Sequence, residues 1–198
     1  MPNTKPRKSG PRPSGEARER ILAAATELFY RDGIRAVGVD AVVRESGVAK
    51  MTLYAHFKSK DELVAACLSR QGDACRERFA RALEGVPEQL EPRVDAFFSA
   101  LEAWFSEPDF RGCPFINATS EFGDPSHTAR RLTLEHQEFL RSALLAVARM
   151  SDTPDAESIA EELLLLVEGA IVLAVTRGDA TPARNAHAAA RRILGLGR

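Results

Sequence analysis

The sequence has few cysteines, few β-branched runs and no long apolar segment. The scarcity of β-branched runs disfavours a fold rich in β-strands, and the other two shortages exclude further classes of protein. Its three cysteines, Cys67, Cys75 and Cys113, show neither CxxC spacing nor a nearby histidine pair, which excludes a zinc module. This odd, low count favours a reducing compartment over a disulfide framework. The most apolar run, 159–175, contains three glutamates and is too short to span a bilayer. Because residues 1–15 also lack the apolar core of a secretory signal, we expect a cytoplasmic protein that does not bind membranes.

Motifs that mark catalytic and metal-binding sites are missing as well. No glutamate is followed three residues later by histidine, the spacing that di-iron helical bundles use for their ligands. The HExxH and GxSxG patterns of zinc peptidases and serine hydrolases are also absent. We therefore expect a protein that is not an enzyme, with no catalytic residue, no metal and no cofactor.

Alanine, leucine and helical periodicity dominate the sequence instead. Its 198 residues are 44% hydrophobic and 28% charged, which is typical of a globular protein. Between Ile21 and Phe29 apolar residues recur at steps of three and four, as on one face of a helix. Similar patterns continue along the chain and predict an all-α fold of about nine helices. We expect a disordered basic tail over 1–15, a helix-turn-helix domain over 16–60 and a larger helical domain over 61–198.

The charge is distributed unevenly along the chain. Residues 1–70 carry 13 lysines and arginines against 8 aspartates and glutamates, whereas residues 71–198 carry 14 against 20. A basic first third joined to an acidic remainder suggests that only the first part meets a polyanion. An uneven surface charge without any partner is the alternative.

Residues 39–57 indicate a helix-turn-helix. Two short helical patterns meet at Gly47, which can take a positive φ without a Cβ clash. Leu53 and Phe57 lie on the inner face of the second pattern. Its outward residues suit the phosphates and base edges of a DNA major groove, and they are Lys50, Met51, Thr52, Tyr54, Ala55 and His56. A solvated amphipathic face is the alternative for any one of them, but their combination favours DNA.

The next predicted helix begins directly after this window. Ser59 with Glu62 three residues later predicts a capping box. Lys60, in the first turn, can meet the DNA backbone with the help of the helix dipole. The start of this helix therefore belongs to the candidate DNA-binding surface.

Three motifs follow one another within about fifty residues of this first part. They read ILAAATELFYRDG, GVAK and TLYAHFKSKDEL. With them the chain resembles the DNA-binding domain of TetR-family transcriptional regulators. The resemblance implies a larger helical domain that binds a small molecule and dimerises through its last two long helices. It also implies repression of a nearby operon, relieved when the ligand binds.

The resemblance assigns roles by position. It places residues 50–56 on the DNA-reading helix and Lys60 at the phosphate-contacting start of the next helix. One departure concerns the residue before the second helix, which is often threonine or serine in the family, whereas this chain reads Val37-Gly38-Val39. Glycine is a weaker cap than a hydroxyl residue, and Arg44 can supply a backbone contact instead.

The last two predicted helices suggest a homodimer. Residues 159–175 are apolar around most of the helix, so this helix must be covered on more than one side. Reading a palindromic operator with one helix-turn-helix per chain requires two copies, and we expect a symmetric four-helix contact. A central buried helix in a monomer is the alternative. The residues predicted at the interface are Leu163, Leu166, Val167, Ala170, Ala174, Ala186, Ala189, Ala190 and Ile193.

Aromatic residues of the fifth predicted helix and beyond suggest a small-molecule pocket. Apolar walls with a few polar groups describe a ligand site, but they describe a core equally well. The effector implied by the resemblance is expected to be largely apolar. The candidate pocket residues are Phe98, Leu101, Trp104, Phe105, Cys113, Phe115, Asn117, His136 and Phe139.

Two other functions stay open at this point. Cys113 follows Gly112 near a predicted helix start, where a thiolate would be favoured, and this suggests a redox- or electrophile-sensing regulator. A buried thiol that packs as a small apolar side chain is the alternative for Cys113. A helical interaction module that binds no DNA is the other function, and it would lack the steep salt dependence of DNA binding.

Overall fold

The protein is all helical across residues 15–197, the part of the chain that the computed structural model describes. Nine helices and no strand are present in this part, as predicted. They are α1 (Gly15–Asp32), α2 (Val39–Ser46), α3 (Lys50–His56), α4 (Lys60–Leu83), α5 (Leu90–Phe105), α6 (Pro114–Glu121), α7 (Thr128–Ala148), α8 (Ala156–Arg177) and α9 (Thr181–Ile193). Residues 1–14, which make up nearly all of the predicted basic tail, lie outside the described residues.

The chain divides into two compact units after Cys67. The sequence places this boundary at residue 60, whereas the structure assigns the first turns of α4 to the first unit. There the Lys60 ammonium lies 5.8 Å from the centre of the Phe29 ring of α1, and Leu63 and Val64 of the next turn are buried. The second unit holds the rest of α4 and helices α5 to α9.

The first unit is built on the apolar face of α1. Ile21 is fully buried on this face, and both α2 and α3 pack against α1. Val42 of α2, Leu53 of α3 and Phe57 just after α3 are buried as well. The guanidinium carbon of Arg18 lies 5.2 Å from the centre of the Phe57 ring, a cation–π distance. The inner face predicted for α3 is thus confirmed.

The turn between α2 and α3 is held by α1. Gly47 has φ 63° and ψ 27°, the left-handed conformation that glycine adopts without strain. Its N–H donates to the Val43 carbonyl at 3.1 Å. A guanidinium nitrogen of Arg20 donates to the Ser46 carbonyl at 2.6 Å. These bonds fix the direction in which the chain enters α3.

Helix α4 begins with the predicted capping box, shifted by one residue in its second bond. The Ser59 hydroxyl accepts from the Glu62 N–H at 3.1 Å. The Glu62 carboxylate accepts from the N–H of Lys58 at 2.8 Å, whereas the usual box uses the N–H of the capping residue itself. Gly38 precedes α2 without any side-chain capping bond, as a glycine must.

The second unit packs around α8. This helix contacts α7 and α9, while α5 packs on α9 and α6 on α7. One face of α8 is buried and consists of Ala160, Leu163, Val167, Ala170, Ile171 and Ala174. Within residues 15–197, neither α8 nor any other helix combines the length and the apolarity needed to cross a membrane.

Candidate nucleic-acid interface and internal cavity

Helix α3 carries large, partly apolar side chains that are exposed to solvent. Met51 is 80% exposed and Tyr54 is 43% exposed, which is unusual for side chains of this size. Ala55 is exposed as well and Thr52 is half-buried. Methyl and ring surface beside hydroxyl groups matches the thymine methyls and phosphates of a DNA groove. Arg44 of α2, also predicted to contact DNA, is exposed.

Lys50, the first residue of α3, forms an ion pair that was not predicted from the sequence. Its Nζ lies 2.7 Å from Oδ1 of Asp40 in α2. The hydrogen bond to Asp40 raises the pKa of Lys50, so the ammonium stays charged. Because ion pairs between exposed side chains contribute little, a DNA phosphate can replace this carboxylate at small cost.

His56 and Lys60 are less accessible than predicted. His56 ends the short helix α3 beside buried Phe57, with ring centres 6.5 Å apart. Its Nε2 is sealed from solvent and has no hydrogen-bond partner among the described residues. Lys60 is half-buried over Phe29. The accessible part of the predicted surface is therefore centred on Lys50, Met51, Tyr54 and Ala55.

The second unit contains a cavity of about 60 Å³. Helices α4, α5, α7 and α8 and the start of α6 contribute to its wall. The lining residues are Gln71, Ala74, Cys75, Arg78, Phe79, Leu101, Trp104, Cys113, Pro114, Phe115, His136, Leu140, Val167 and Ile171.

The cavity includes only part of the pocket predicted from sequence. Leu101, Trp104, Cys113, Phe115 and His136 line it. The other four predicted residues do not. Phe98 lines a separate cavity of about 10 Å³, and Phe105 is a buried core residue. Asn117 is exposed and donates to the Arg111 carbonyl. The ring centre of Phe139 lies 5.5 Å from the guanidinium carbon of Arg76. Aromatic character alone could not separate the wall from the core.

The contribution of α4 to the cavity wall was not predicted from the sequence. Gln71, Cys75 and Arg78 of this helix line the cavity, together with Ala74 and Phe79. Their spacing of three and four residues puts them on one face of α4. That face mixes polar and small residues, so it lacks the apolar stripe by which a buried helix face is normally recognised.

His136 is the most buried polar side chain on the cavity wall. It is 6% exposed and stacks on Phe115, with ring centres 4.0 Å apart and planes 8° from parallel. Its Nδ1 has no hydrogen-bond partner among the described residues. Burial, with a smaller effect of the Arg76 charge, lowers the pKa of His136 to about 4. The imidazole is therefore neutral at pH 7.

The two thiols on the wall are neutral too. Cys113 precedes α6 as its N-cap, the position at which a thiolate was expected. Burial nevertheless raises the pKa of the Cys113 thiol to about 11, and the backbone amides of Ile116 and Phe115 lower it by less. Burial likewise raises the pKa of Cys75 to about 11. The expectation of a favoured thiolate at Cys113 is wrong, which removes the observation behind a thiol sensor.

Most residues predicted at the dimer interface lie inside one subunit. Buried there are Leu163, Val167, Ala170, Ala174, Ala186 and Ala190. A side chain that is buried in its own subunit has almost no surface left for a partner, so these six belong to the core instead. Leu166, Ala189 and Ile193 are half-buried. The exposed apolar side chains of α8 begin at Leu165, about half a turn around the helix from Leu163.

Together these features define a class of protein. A helix-turn-helix with an accessible second helix, followed by a helical unit with a cavity, is the architecture of a DNA-binding transcriptional regulator. The family model described as bacterial regulatory proteins, tetR family, matches residues 21–67. The model described as tetracyclin repressor-like, C-terminal domain, matches residues 91–190. The chain belongs to the TetR family of transcriptional regulators, which are not enzymes.

Individual relatives support the same family. The HTH-type transcriptional regulator LmrA of Bacillus subtilis is 29% identical over 174 residues, 85% of this chain and 91% of LmrA. The HTH-type transcriptional activator FasR of Mycolicibacterium smegmatis is 34% identical over 116 residues, 52% of this chain and 53% of FasR. The crystal structure of SCO4454, a TetR-family transcriptional regulator from Streptomyces coelicolor, superposes with a TM-score of 0.85 at 29% identity, covering 92% of this chain and 96% of that one. An interaction module that binds no DNA is thereby set aside.

Proposed function

We propose that the protein is a repressor that binds a palindromic operator as a homodimer in the cytoplasm and is released by a small molecule. The observation that carries this proposal is the accessible surface of α3, where Met51 and Tyr54 are exposed without a structural reason within the first unit. Met51 and Ala55 contact thymine methyls, while Tyr54 and Lys50 donate to phosphates or base edges. The cavity beside His136 is the proposed effector site.

The proposal is tested by selecting bound DNA from a random pool. We expect an enriched palindrome whose half-sites lie one or more helical turns apart. Its affinity should fall with salt, with a logarithmic slope of about −0.9 for each phosphate neutralised, and Lys50→Ala should reduce that slope by about two in a dimer. A reporter gene placed behind the selected site distinguishes repression from activation. Failure to enrich any sequence at low salt would contradict the proposal.

The exposed side of α8 is the proposed dimer surface. Among the described residues, four of the seven exposed large apolar side chains lie on this helix: Leu165, Val172, Leu173 and Val175. Exposed apolar patches of this kind mark association sites. Gly169 is exposed in the same stripe and would let a partner helix approach closely. On α9, Ala188 is exposed and Ile193 is half-buried, so both helices can contribute to one self-complementary contact.

Replacing Leu165 by glutamate should weaken dimerisation. Leu165 is 73% exposed, so the change leaves the core intact but puts two carboxylates into the interface. We expect the dimer dissociation constant to rise at least about 10-fold, because each copy loses the burial of one leucine. Analytical ultracentrifugation measures the shift. Leu134→Glu is the matched control, since Leu134 is 57% exposed on α7, and an equal effect of both changes would reject the α8 surface.

Helix α4 is the proposed link between effector and DNA. It begins at Lys60 in the first unit, and its later turns supply Gln71, Cys75 and Arg78 to the cavity wall. A cavity of about 60 Å³ is smaller than the roughly 150 Å³ that accepts benzene, so a ligand must displace wall residues. We infer that the ligand favours a pose of α4 in which the two reading helices no longer match the groove spacing of about 34–36 Å.

A further inference from the structure

We propose that the effector is an uncharged, mostly apolar molecule with one hydrogen-bonding group, a hydroxyl or a carbonyl, that pairs with the imidazole of His136. This inference rests on the proposed function, in which the cavity of the second unit receives the effector. It adds the chemistry of the ligand, which neither the fold nor the relatives supply.

The charges on the wall argue for an uncharged ligand. Among the described residues that line the cavity, Arg78 has the one permanently charged side chain. Its guanidinium is already paired, with Nη1 donating to the Glu107 carboxylate at 2.6 Å, and it also lies 5.5 Å from the Trp104 ring centre. Both wall thiols are protonated at pH 7, as their raised pKa values require. An anion entering this site would have to displace Glu107 from Arg78, and a cation would lose its hydration without meeting a carboxylate among these lining residues.

His136 is the group that selects a polar atom in the ligand. Its Nδ1 is buried without a partner among the described residues, and an unsatisfied buried polar group is costly, so a ligand that pairs with it gains affinity. Thr133, one turn earlier on α7, is already satisfied by the carbonyls of Ala129 and Phe115. A half-turn of the imidazole about its Cβ–Cγ bond exchanges its two edges and preserves the stacking on Phe115. Because a ligand larger than this cavity displaces wall residues, the unpaired nitrogen can meet a hydroxyl or carbonyl of the ligand as it enters.

Trp104 makes the inference measurable without knowledge of the natural effector. It lines the cavity and is the only tryptophan in the sequence, so its fluorescence reports ligand entry. Three small probes of similar shape separate the contributions. They are p-cresol, which has one hydroxyl, p-xylene, which replaces that hydroxyl by a methyl group, and 4-methylbenzoate, which is an anion.

The comparison of two affinities isolates the hydrogen bond. We expect the ratio of p-cresol to p-xylene affinity to fall about 3- to 10-fold in His136→Phe, which keeps the stacking ring but loses the nitrogens. Thr133→Val is the matched control on the same helix, and it should leave the ratio unchanged. His136→Gln retains a neutral donor and acceptor and should preserve the ratio. In the wild type, 4-methylbenzoate should bind more weakly than either neutral probe.

Several outcomes would overturn the inference. They are tighter binding of the anion than of p-cresol, an unchanged affinity ratio in His136→Phe, and no Trp104 response to p-cresol. Should His136→Phe fail to fold, His136→Leu replaces it as the variant without ring nitrogens and should show the same fall in the affinity ratio, while the anion comparison still tests the preference for a neutral ligand. Operator binding is measured on the same samples. If the protein binds the operator but the probes do not behave as expected, only the ligand chemistry is rejected. If the probes behave as expected but the protein binds no operator, only the proposed function is rejected.

Discussion

Replacing Tyr54 by alanine is expected to weaken operator binding by about 10²- to 10⁴-fold. A lost contact to a base edge or phosphate costs about 1–3 kcal/mol, and a homodimer loses it twice. Tyr54 is 43% exposed on α3, so its removal takes little from the core of the first unit. Fluorescence anisotropy on the selected palindrome measures the change, and thermal unfolding of the variant should match that of the wild type.

Two further variants locate the origin of the effect. Tyr54→Phe removes only the hydroxyl, so it should retain the ring contacts and lose less affinity than Tyr54→Ala. Leu134→Ala also removes an exposed large side chain, but from α7 of the second unit, and it should bind the operator like the wild type. Wild-type affinity of a folded Tyr54→Ala variant would show that α3 does not read DNA.

Acid is expected to remove about 3 kcal/mol of stability through His136 alone. The folded-state pKa of His136 is lowered to about 4, whereas an unfolded histidine titrates near 6.5. Between these values the unfolded chain binds the proton and the folded chain does not, so protons favour unfolding. The unfolding free energy is therefore unaffected by His136 above about pH 6.5. It falls as the pH drops from about 6.5 to 4, and below about pH 4 this residue lowers it no further.

Comparison with His136→Phe separates this contribution from that of other titrating groups. The variant keeps a ring against Phe115 but has no group to protonate, so its unfolding free energy should fall less between pH 6.5 and 4. Denaturant unfolding at several pH values measures the difference, and NMR titration of the imidazole measures the midpoint directly. A midpoint near 6.5 for His136 would contradict the argument.

Local features of this fold could be predicted from the sequence. The periodicity of α1, the inward positions Leu53 and Phe57, and the Ser59 cap of α4 depend on residues within a few positions of one another. The structure has all three. Exposure of Met51 and Tyr54 could also be predicted, because the opposite side of so short a helix was already assigned to the core.

Features that depend on the packing of distant helices could not be predicted. Helix α8 is apolar around most of its circumference, so its sequence cannot distinguish the face buried in its own subunit, around Leu163, from the exposed apolar face, around Leu165. The position of Cys113 at a helix start suggested a lowered pKa, but its burial, which raises the pKa, arises from tertiary contacts. The pair of Lys50 with Asp40 joins two helices whose crossing the sequence does not specify.

The bond between Arg20 and the turn at Gly47 has a consequence for redesigning operator preference. A Cβ atom placed on Gly47 would lie 2.9 Å from a terminal guanidinium nitrogen of Arg20, which a flexible side chain can relieve, but φ is +63°, where an L side chain is strained whatever space surrounds it. The segment after the turn, residues 48–57, carries the reading side chains and is the natural unit to exchange between homologues. A chimera that imports this segment must keep a glycine at position 47, and Arg20 is kept with it because its guanidinium donates to the Ser46 carbonyl. Libraries that vary Gly47 would be enriched in destabilised members, because glycine adopts this φ without strain.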